Sequence, residues 1–383
     1  MLNRWYFFVK DGICFVSIQY RLNVLGFYDF TTYKNCENFD SNCGLSDQIL
    51  GLKWVHENIS SFGGNPENVT IMGESAGGAS VINMMAVPSV KGFFNKVIAQ
   101  SGLPNCVMTH KMARENIDLF IEGMGWTEKD LEKLKNMNPE EFQKGNTYVS
   151  HKHQYKNPGI FLPCPIQDDL LPVRPIDAIR NGSAKGVKIL IGTNLNEGTM
   201  FVHKENTGFP NSWEMIENMF KKNGNEEYFL KVKEYYQSFG DLAFFEFATD
   251  YAFQVPAIKV AEAQKEYDDV FMYKFNYLTK FGEKSGMGVG HAFEISLVFK
   301  DKEFGFTKMI YGNEPNEEVE KISEEMHNDW KNFILTGKPD ENKWPKFNGT
   351  SSEIRIYDKK TVTEKLDRSK IMEIWKDIRF YEN

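Results

Sequence analysis

The sequence Gly73-Glu74-Ser75-Ala76-Gly77 constrains the fold of this chain more than any other stretch. It follows a strand-like run at 69–72 and opens a helix-like stretch at 76–81, which predicts a sharp strand–turn–helix connection. A serine on such a turn stands exposed above a sheet, and side chains at Gly73 and Gly77 would clash there. The helix points unpaired N–H groups at the turn, where they stabilise negative charge. The pattern therefore predicts that Ser75 is an activated nucleophile.

Short apolar runs alternate with helical periodicity along the chain. Runs rich in β-branched and aromatic residues, bounded by turn residues, predict strands at 13–20, 69–72, 96–101, 187–192, 270–275 and 353–357. Apolar residues recur at helical spacing over 45–59 and near 318–335. This alternation predicts an α/β fold, with a mostly parallel central sheet and helices on both faces. The polar, helix-rich region at about 108–180 is interpreted as a cap-like insertion within one domain spanning 1–383.

Composition excludes several classes of protein. Hydrophobic residues make up 41% and aromatic residues 14% of the 383 residues, which suffices for a large core and argues against disorder. The net charge of −8 argues against a nucleic-acid surface, because such a surface needs a basic patch. No stretch has the apolar length of a membrane span, and the first residues do not resemble a secretory signal. The five cysteines form no CxxC pair, which favours reduced thiols in a cytoplasmic protein.

A serine nucleophile needs a base, and the base needs a carboxylate that orients it. Among seven histidines, His291 stands in the glycine-containing segment 288–294, where a mobile base is expected. His151 and His153 lie two residues apart in a polar stretch, which predicts solvated side chains. Glu197 follows the strand predicted at 187–192, and the active sites of open α/β sheets gather at the carboxyl ends of strands. The order serine, acid, histidine also occurs in enzymes with this serine turn.

Two long segments carry a resemblance to a known family: SIQYRLNVLGF at 17–27 and GLSDQILGLKWVHENISSFGGNPENVTIMGESAGGAS at 44–80. With them the chain resembles the type-B carboxylesterase/cholinesterase family, most closely its bacterial para-nitrobenzyl-esterase-like branch, from about residue 8 to the C-terminus. The segment 192–198 is similar to the family's acid-bearing stretch. The segment 288–299, in which His291 and Glu294 stand three residues apart, is similar to its base-bearing stretch.

The resemblance implies an α/β-hydrolase fold and a serine carboxylesterase acting on a small-molecule ester. It implies a catalytic triad of Ser75, Glu197 and His291 that works through an acyl-enzyme intermediate. No cofactor and no metal ion would be needed for that chemistry. The family likeness thus adds the reaction to the residue types that the motif alone suggests.

Three supporting residues also carry over from the resemblance. Ala76 matches the residue whose backbone N–H donates to the oxyanion. Glu74 matches a carboxylate that supports the triad without belonging to it, and Ser101 matches a buried serine near the triad. For Ser101, a plain turn residue at the end of a strand is an equally good interpretation of the sequence.

The chain departs from the family pattern upstream of residue 17, where no HGGG-type segment occurs. Roughly 100 residues are expected to be absent there, including a strand that lies between 13–20 and 69–72. The glycine N–H groups of that segment are the other oxyanion donors, and losing one donor costs about 100- to 1,000-fold in rate. Three alternatives remain: an esterase complemented by an N-terminal segment, an impaired or silent fragment, and a cholinesterase-like binding module. The intact serine, acid and histidine argue against the binding module.

Overall fold

The computed structural model describes residues 5–34, 36, 38–160, 162, 164–202, 209–313, 316–340 and 342–381. These residues form one six-stranded sheet in the order β1-β2-β3-β4-β5-β6. The strands β1 to β5 are parallel, and β6 is antiparallel to β5. The strands are β1 (Thr70–Glu74), β2 (Lys96–Gln100), β3 (Lys188–Asn194), β4 (Val270–Phe275), β5 (Glu353–Tyr357) and β6 (Val362–Lys365).

The α-helices of the described residues fall before, between and after these strands. They are α1 (Tyr6–Lys10), α2 (Asn23–Phe27), α3 (Cys43–Asn58), α4 (Ala76–Met84), α5 (His110–Met124), α6 (Gln143–Lys156), α7 (Pro175–Arg180), α8 (Trp213–Lys222), α9 (Glu226–Gln237), α10 (Ala243–Thr249), α11 (Val255–Gln264), α12 (Lys280–Ser285), α13 (Ile295–Val298), α14 (Gly305–Tyr311), α15 (Glu317–Thr336) and α16 (Ser369–Trp375). A π turn at Asp250–Gln254 joins α10 to α11.

Both faces of the sheet are covered, which confirms the predicted α/β architecture. Successive residues of a strand point to opposite faces, so Val97 of β2 packs in one core and Ile98 in another. The first core includes buried residues of α3, α4, α7 and α11, and the second includes those of α13, α14 and α15. Every residue of β2 is buried, as expected for a parallel strand between two helical layers.

The first predicted strand is wrong. Residues 13–20 carry no strand and are mostly exposed, although Ile18 packs on α3 where the absence of a side chain at Gly51 leaves room for it. An apolar alternating run becomes a strand only when a neighbour takes up its backbone hydrogen bonds. No such neighbour lies beside it in the described residues, so β1 forms the edge of the sheet and all its residues are only half-buried.

The other predicted elements are close to those observed. The strands expected at 270–275 and 353–357 match β4 and β5, and the helix expected near 318–335 matches α15. The sequence prediction missed β6, a four-residue edge strand with two charged residues that lacks a strong apolar signal. Residues 108–180 contain α5, α6 and α7, and their role as a cap stays a prediction. Among the described residues, no helix combines the length and apolarity needed to cross a bilayer.

Candidate active site

Ser75 occupies a strained turn between β1 and α4. Its φ of 56° and ψ of −117° lie in a region that residues with a side chain rarely adopt. Two backbone hydrogen bonds hold this conformation: the Ser75 N–H donates to Gln100 O at 2.9 Å, and its carbonyl accepts from the Ala79 N–H at 2.8 Å. Strain of this kind persists only where surrounding structure enforces it, and it concentrates at functional sites.

The glycines around Ser75 have unequal roles. A Cβ at Gly73 would lie 2.3 Å from the carbonyl carbon of Gly77, so the predicted clash is confirmed at Gly73. At Gly77 the prediction is wrong, because a Cβ there meets no described atom within 4 Å. The tight contact falls instead on Gly78, whose Cβ would lie 2.6 Å from Gln100 O and 2.9 Å from the Cα of Gly102. The turn at Ser75 therefore depends on a close approach of α4 to the end of β2.

Strand register gathers the candidate residues at one edge of the sheet. Glu74 pairs with Gln100 in the neighbouring strand, and Gln100 pairs with Gly192 in the next. Ser75 and Ser101 therefore follow the aligned ends of β1 and β2, and β3 ends at Asn194, just ahead of the buried Glu197. This is the edge where α/β sheets place their ligand sites.

Glu197 is completely buried, and each of its oxygens has a polar partner. Oε1 accepts hydrogen bonds from Ser101 Oγ at 2.5 Å and from the Asn194 N–H at 2.6 Å. Oε2 lies 2.5 Å from Nδ1 of His291. The carboxylate is therefore fixed in one orientation, with a single oxygen left to hold the imidazole.

His291 is nearly buried, and two phenylalanine rings pack on its imidazole. The rings of Phe201 and Phe253 have centroids 5.0 Å from that of His291. Burial by itself lowers the pKa of His291, but the neighbouring carboxylates, led by Glu197, outweigh burial and raise this pKa to about 9. The site therefore favours the protonated imidazolium, which is the form that the base takes on after accepting a proton.

The second ring nitrogen of His291 faces Glu74. Nε2 lies 3.1 Å from Oε1 of Glu74, in a geometry that makes no hydrogen bond with it or with any other described residue, Ser75 included. Burial, followed by the nearby carboxylates Glu294 and Glu197, raises the pKa of Glu74 to about 8, although His291 acts in the opposite sense. Catalytic hydrogen bonds are often long or misaligned before substrate binds, so this arrangement remains compatible with catalysis.

Ser101 follows the end of β2 and contacts Glu197. It is fully buried, has a φ of 48°, and its N–H donates to Gly192 O at 2.9 Å. Its hydroxyl is one of the two donors to Oε1 of Glu197. The contact favours a supporting role for Ser101 over that of a plain turn residue. Ala76 is exposed at the first position of α4, where a backbone N–H has no acceptor within the helix.

A second buried carboxylate, to which the sequence analysis assigned no role, ties the histidine segment to the sheet. Glu294 is fully buried; its Oε1 accepts from Gln100 Nε2 at 2.9 Å and its Oε2 from Asn194 Nδ2 at 2.7 Å. Asn194 Nδ2 also donates to Gly290 O at 2.8 Å. Burial raises the pKa of Glu294, and its three-residue spacing from His291 was the only sequence signal for it.

The segment formed by α10 and the π-helical turn contacts the Glu197 loop and the His291 ring from the other side. Thr249 Oγ1 accepts the Gly198 N–H at 2.9 Å, and Gln254 Nε2 donates to Leu195 O at 3.3 Å. Phe253, in the same π turn, packs on the His291 ring. Such turns recur at functional sites, but no residue pattern in 243–254 predicted this one.

The other histidines of the described part of the chain do not join the site. His151 is exposed as predicted, whereas the prediction of a solvated His153 is wrong. His153 is buried between α5 and α6 with Nδ1 2.7 Å from Asn116 Oδ1, and burial lowers its pKa to about 4. His327 is buried against α1, with Nε2 2.8 Å from Asp11 Oδ2. His203 lies outside the described residues.

Comparison with known proteins places the chain in a family. The model of the family described as "Carboxylesterase family" matches residues 2–375. Para-nitrobenzyl esterase of Bacillus subtilis (strain 168) is 31% identical over 357 residues, covering 93% of this chain and 71% of that protein. Human cocaine esterase is 26% identical over 374 residues, covering 90% of this chain and 63% of that protein.

Solved structures agree with the sequence comparison. A thermophilic PNB esterase superposes with a TM-score of 0.81 at 29% identity, covering 93% of this chain and 72% of that structure. A carboxylesterase of Geobacillus stearothermophilus superposes with a TM-score of 0.77 at 25% identity, covering 98% and 78%. The fold predicted from the sequence, an α/β-hydrolase, is the fold of the PNB esterases.

Proposed function

The chain belongs to the carboxylesterase family and is by that membership a carboxylic ester hydrolase, and from this premise we propose that Ser75, His291 and Glu197 carry out the reaction. The observation that carries the proposal is the buried pair of His291 Nδ1 and Glu197 Oε2, 2.5 Å apart, beside the serine turn. A carboxylate so placed holds the imidazole in the tautomer that leaves Nε2 free to take a proton.

The proposed reaction has two acyl transfers. His291 Nε2 accepts the proton of Ser75 Oγ while Oγ attacks the ester carbonyl carbon. The tetrahedral intermediate then expels the alcohol, which leaves with the proton from His291, and an acyl-enzyme remains on Ser75. Water attacks the acyl-enzyme with the same base, and the carboxylic acid leaves as Ser75 regains its proton.

Two features of the chain support the transition state in this proposal. In this proposal the N–H of Ala76, at the start of α4, donates to the developing oxyanion and benefits from the helix dipole. The carboxylates Glu197 and Glu74 stabilise the imidazolium that forms when His291 takes the proton. No metal or organic cofactor enters these steps.

The experiment that tests this proposal compares the protein with Ser75→Ala and with Ser60→Ala, an exposed serine in the turn after α3. Hydrolysis of para-nitrophenyl butyrate should fall by about 10³-fold or more in Ser75→Ala and stay unchanged in Ser60→Ala. A fluorophosphonate probe followed by peptide mass spectrometry should label Ser75. Equal rates in all three proteins, with no label on Ser75, would overturn the assignment.

We also propose that the 383-residue chain turns over slowly until a further strand covers β1. The outer edge of β1 has no strand neighbour in the described residues, and Ala76 is the one oxyanion donor that we propose among them. A complementing segment with a glycine-rich HGGG-type turn would add donors worth about 100-fold or more each. Co-expression with that segment from a related esterase should raise kcat; an unchanged kcat in a confirmed complex would contradict this idea.

Cytoplasmic location is a further part of the proposal. It is supported by the five cysteines, all of which are free thiols in the structure. Cell fractionation with an antibody to the protein should recover it with cytoplasmic markers. Recovery with secreted or membrane markers would contradict this location.

A further inference from the structure

A chain of buried side chains connects α15 to Glu294. Trp330 Nε1 of α15 donates to Gln100 Oε1 at 3.1 Å, and Gln100 Nε2 donates to Glu294 Oε1 at 2.9 Å. All three side chains are buried, so their polar groups depend on partners within the protein. The proposed reaction uses Trp330 in none of its steps.

The indole of Trp330 decides which way the amide of Gln100 faces. An indole nitrogen donates a hydrogen bond and accepts none, so the atom of Gln100 that faces Trp330 must be the amide oxygen. The NH2 group of the same amide then faces Glu294, to which it can only donate. The orientation of this amide therefore follows from the chemistry of its partner.

A backbone carbonyl fixes the second donor to Glu294 in the same way. Asn194 Nδ2 donates to Gly290 O at 2.8 Å and to Glu294 Oε2 at 2.7 Å. A carbonyl oxygen only accepts, so the NH2 group of Asn194 must face Gly290, and the same nitrogen reaches Glu294. The Tyr273 hydroxyl adds a longer hydrogen bond to Oε1, at 3.5 Å. Both oxygens of Glu294 are therefore acceptors.

We propose that Trp330 is a positioning residue that, through Gln100, keeps Glu294 ionised at neutral pH. A carboxylic acid has a proton to donate, but Gln100 and Asn194 present NH2 groups to its two oxygens, so the acid form would set hydrogen against hydrogen. The carboxylate form satisfies these donors. Without the indole, the amide of Gln100 is free to turn its oxygen toward Glu294, which favours the acid form.

Burial and donated hydrogen bonds act on Glu294 in opposite directions. Burial, followed by the carboxylate of Glu197, raises the pKa of Glu294, whereas the hydrogen bonds from Asn194 and Gln100 lower it. The donated bonds therefore decide whether a carboxylate at this depth carries its charge. Trp330 controls the orientation of one of the two amide donors.

The charge of Glu294 also acts on the proposed base. It adds to the charges of Glu197 and Glu74 in raising the pKa of His291, so it stabilises the imidazolium that forms when the base takes a proton. Two phenols, whose pKa burial raises, also approach this carboxylate: Tyr273 and Tyr311. The benefit to catalysis rests on the proposed function, whereas the ionisation of Glu294 does not.

Carbon-13 NMR of the Glu294 side-chain carboxyl tests the proposal without turnover. In the full chain, labelled with carbon-13 glutamate and assigned through the backbone, this carboxyl should give the signal of a carboxylate at neutral pH. The signal of an un-ionised acid there would overturn the proposal, whether or not the protein hydrolyses esters. An ionised Glu294 in a protein without esterase activity would instead count against the proposed function alone.

Two tryptophan substitutions show whether the indole controls that charge. Trp330→Phe removes the donor to Gln100, so the titration midpoint of Glu294 should rise by at least about 0.5 pH. Trp344→Phe is the matched control, because Trp344 is buried in the same core and its Nε1 donates to Met272 O at 3.1 Å. It removes a comparable hydrogen bond and should leave the midpoint in place. Equal midpoints in the two variants would overturn the proposal.

A further variant keeps the test independent of the loss of a large ring. Gln100→Met removes the amide and retains the length of the side chain, so it should also raise the midpoint of Glu294. An unchanged midpoint in Gln100→Met would show that the amide does not set the charge of Glu294, and it would overturn the proposal even if Trp330→Phe failed to fold.

Discussion

At the scale of single residues, two serines with positive φ stand at adjacent strand ends. Ser75 and Ser101 have φ values of 56° and 48°, and both hold the backbone of the neighbouring strand through their N–H groups. The strain at Ser75 presents a hydroxyl, and that at Ser101 directs a hydroxyl onto Glu197. Each cost is small beside the many contacts of the buried strands that enforce it.

The contrast between Gly73 and Gly77 gives a sharp prediction. Gly73→Ala should lower the free energy of unfolding by at least about 2 kcal/mol, because the new Cβ would lie 2.3 Å from backbone atoms. Gly77→Ala, whose Cβ would meet nothing within 4 Å beyond its chain neighbours and the backbone of its own helix, should leave stability unchanged or raise it slightly. Urea denaturation measures both. Equal destabilisation by the two substitutions would contradict the unequal roles of Gly73 and Gly77 in the turn at Ser75.

Glu74 contributes, after Glu197, to the raised pKa of His291, the proposed base. In the proposed mechanism, proton transfer from Ser75 needs neutral His291, so activity should rise with pH through the pKa of His291, which the carboxylates raise to about 9. Glu74→Gln removes one of those charges, so the acid limb of kcat/KM should move to lower pH. NMR titration of the His291 ring measures the same change without turnover.

The control for Glu74 is Glu57→Gln, an exposed residue of α3, which should leave the limb in place. Glu57 carries the same charge as Glu74 but has no contact with the imidazole. An acid limb of kcat/KM that does not shift in Glu74→Gln would mean that the 3.1 Å contact between Glu74 and His291 Nε2 does not control the pKa of His291.

At the scale of elements, hydrogen bonds from two sides fix the segments that carry Glu197 and His291, the proposed acid and base. Glu294 ties the histidine segment to β2 and β3, while Thr249 and Gln254 tie the acid loop to the segment of α10 and the π turn. Gly198 has no room for a side chain there, since a Cβ would lie 2.4 Å from Phe245 O. This close approach of α10 to the loop that carries Glu197 lets Thr249 reach that loop.

Thr249→Val tests that contact. It leaves the Gly198 N–H without its acceptor in a buried position, which should cost about 1–3 kcal/mol of stability and lower kcat. Thr307→Val is the matched control, because Thr307 is buried and its hydroxyl has no hydrogen-bond partner among the described residues. Chemical denaturation and steady-state kinetics measure both variants. Equal effects of the two substitutions would exclude a specific role for Thr249.

At the scale of the whole molecule, burial is uneven across the sheet. The interior strands β2, β3 and β4 are almost entirely buried, whereas every residue of β1 is only half-buried and the segment 13–20 is mostly exposed. Ser75, the proposed nucleophile, thus follows the least buried of the parallel strands β1 to β4. Regions with few buried contacts open more readily than the core.

Hydrogen exchange measures this gradient. Amides of β1 should exchange faster than those of β2 and β3, because the outer edge of β1 has no ladder partner in the described residues. Peptides covering 70–74, 96–100 and 188–194 give the comparison by mass spectrometry. Protection of β1 equal to that of β3 would show that the edge is covered in solution.

Local patterns in the sequence determined the elements that depend on neighbours in the chain. Runs of β-branched and aromatic residues predicted the strands that became β2 to β5, the period of apolar residues predicted two long helices, and the glycines around Ser75 predicted the turn. Such features follow from short-range sterics, which a single stretch contains in full. The segment 13–20 misled this reasoning because its alternation describes a strand whose partner is a matter of tertiary structure.

Only the tertiary structure decided which groups meet. His291 contacts Glu197 across 94 positions, Glu294 meets Gln100 across 194, and Glu74 faces Nε2 of the base rather than solvent. The family resemblance named several of these residues but not their contacts or the role of the π turn. The physical reason is that hydrogen bonds and pKa shifts depend on distance and burial, and both arise when the sheet brings remote strand ends to one edge.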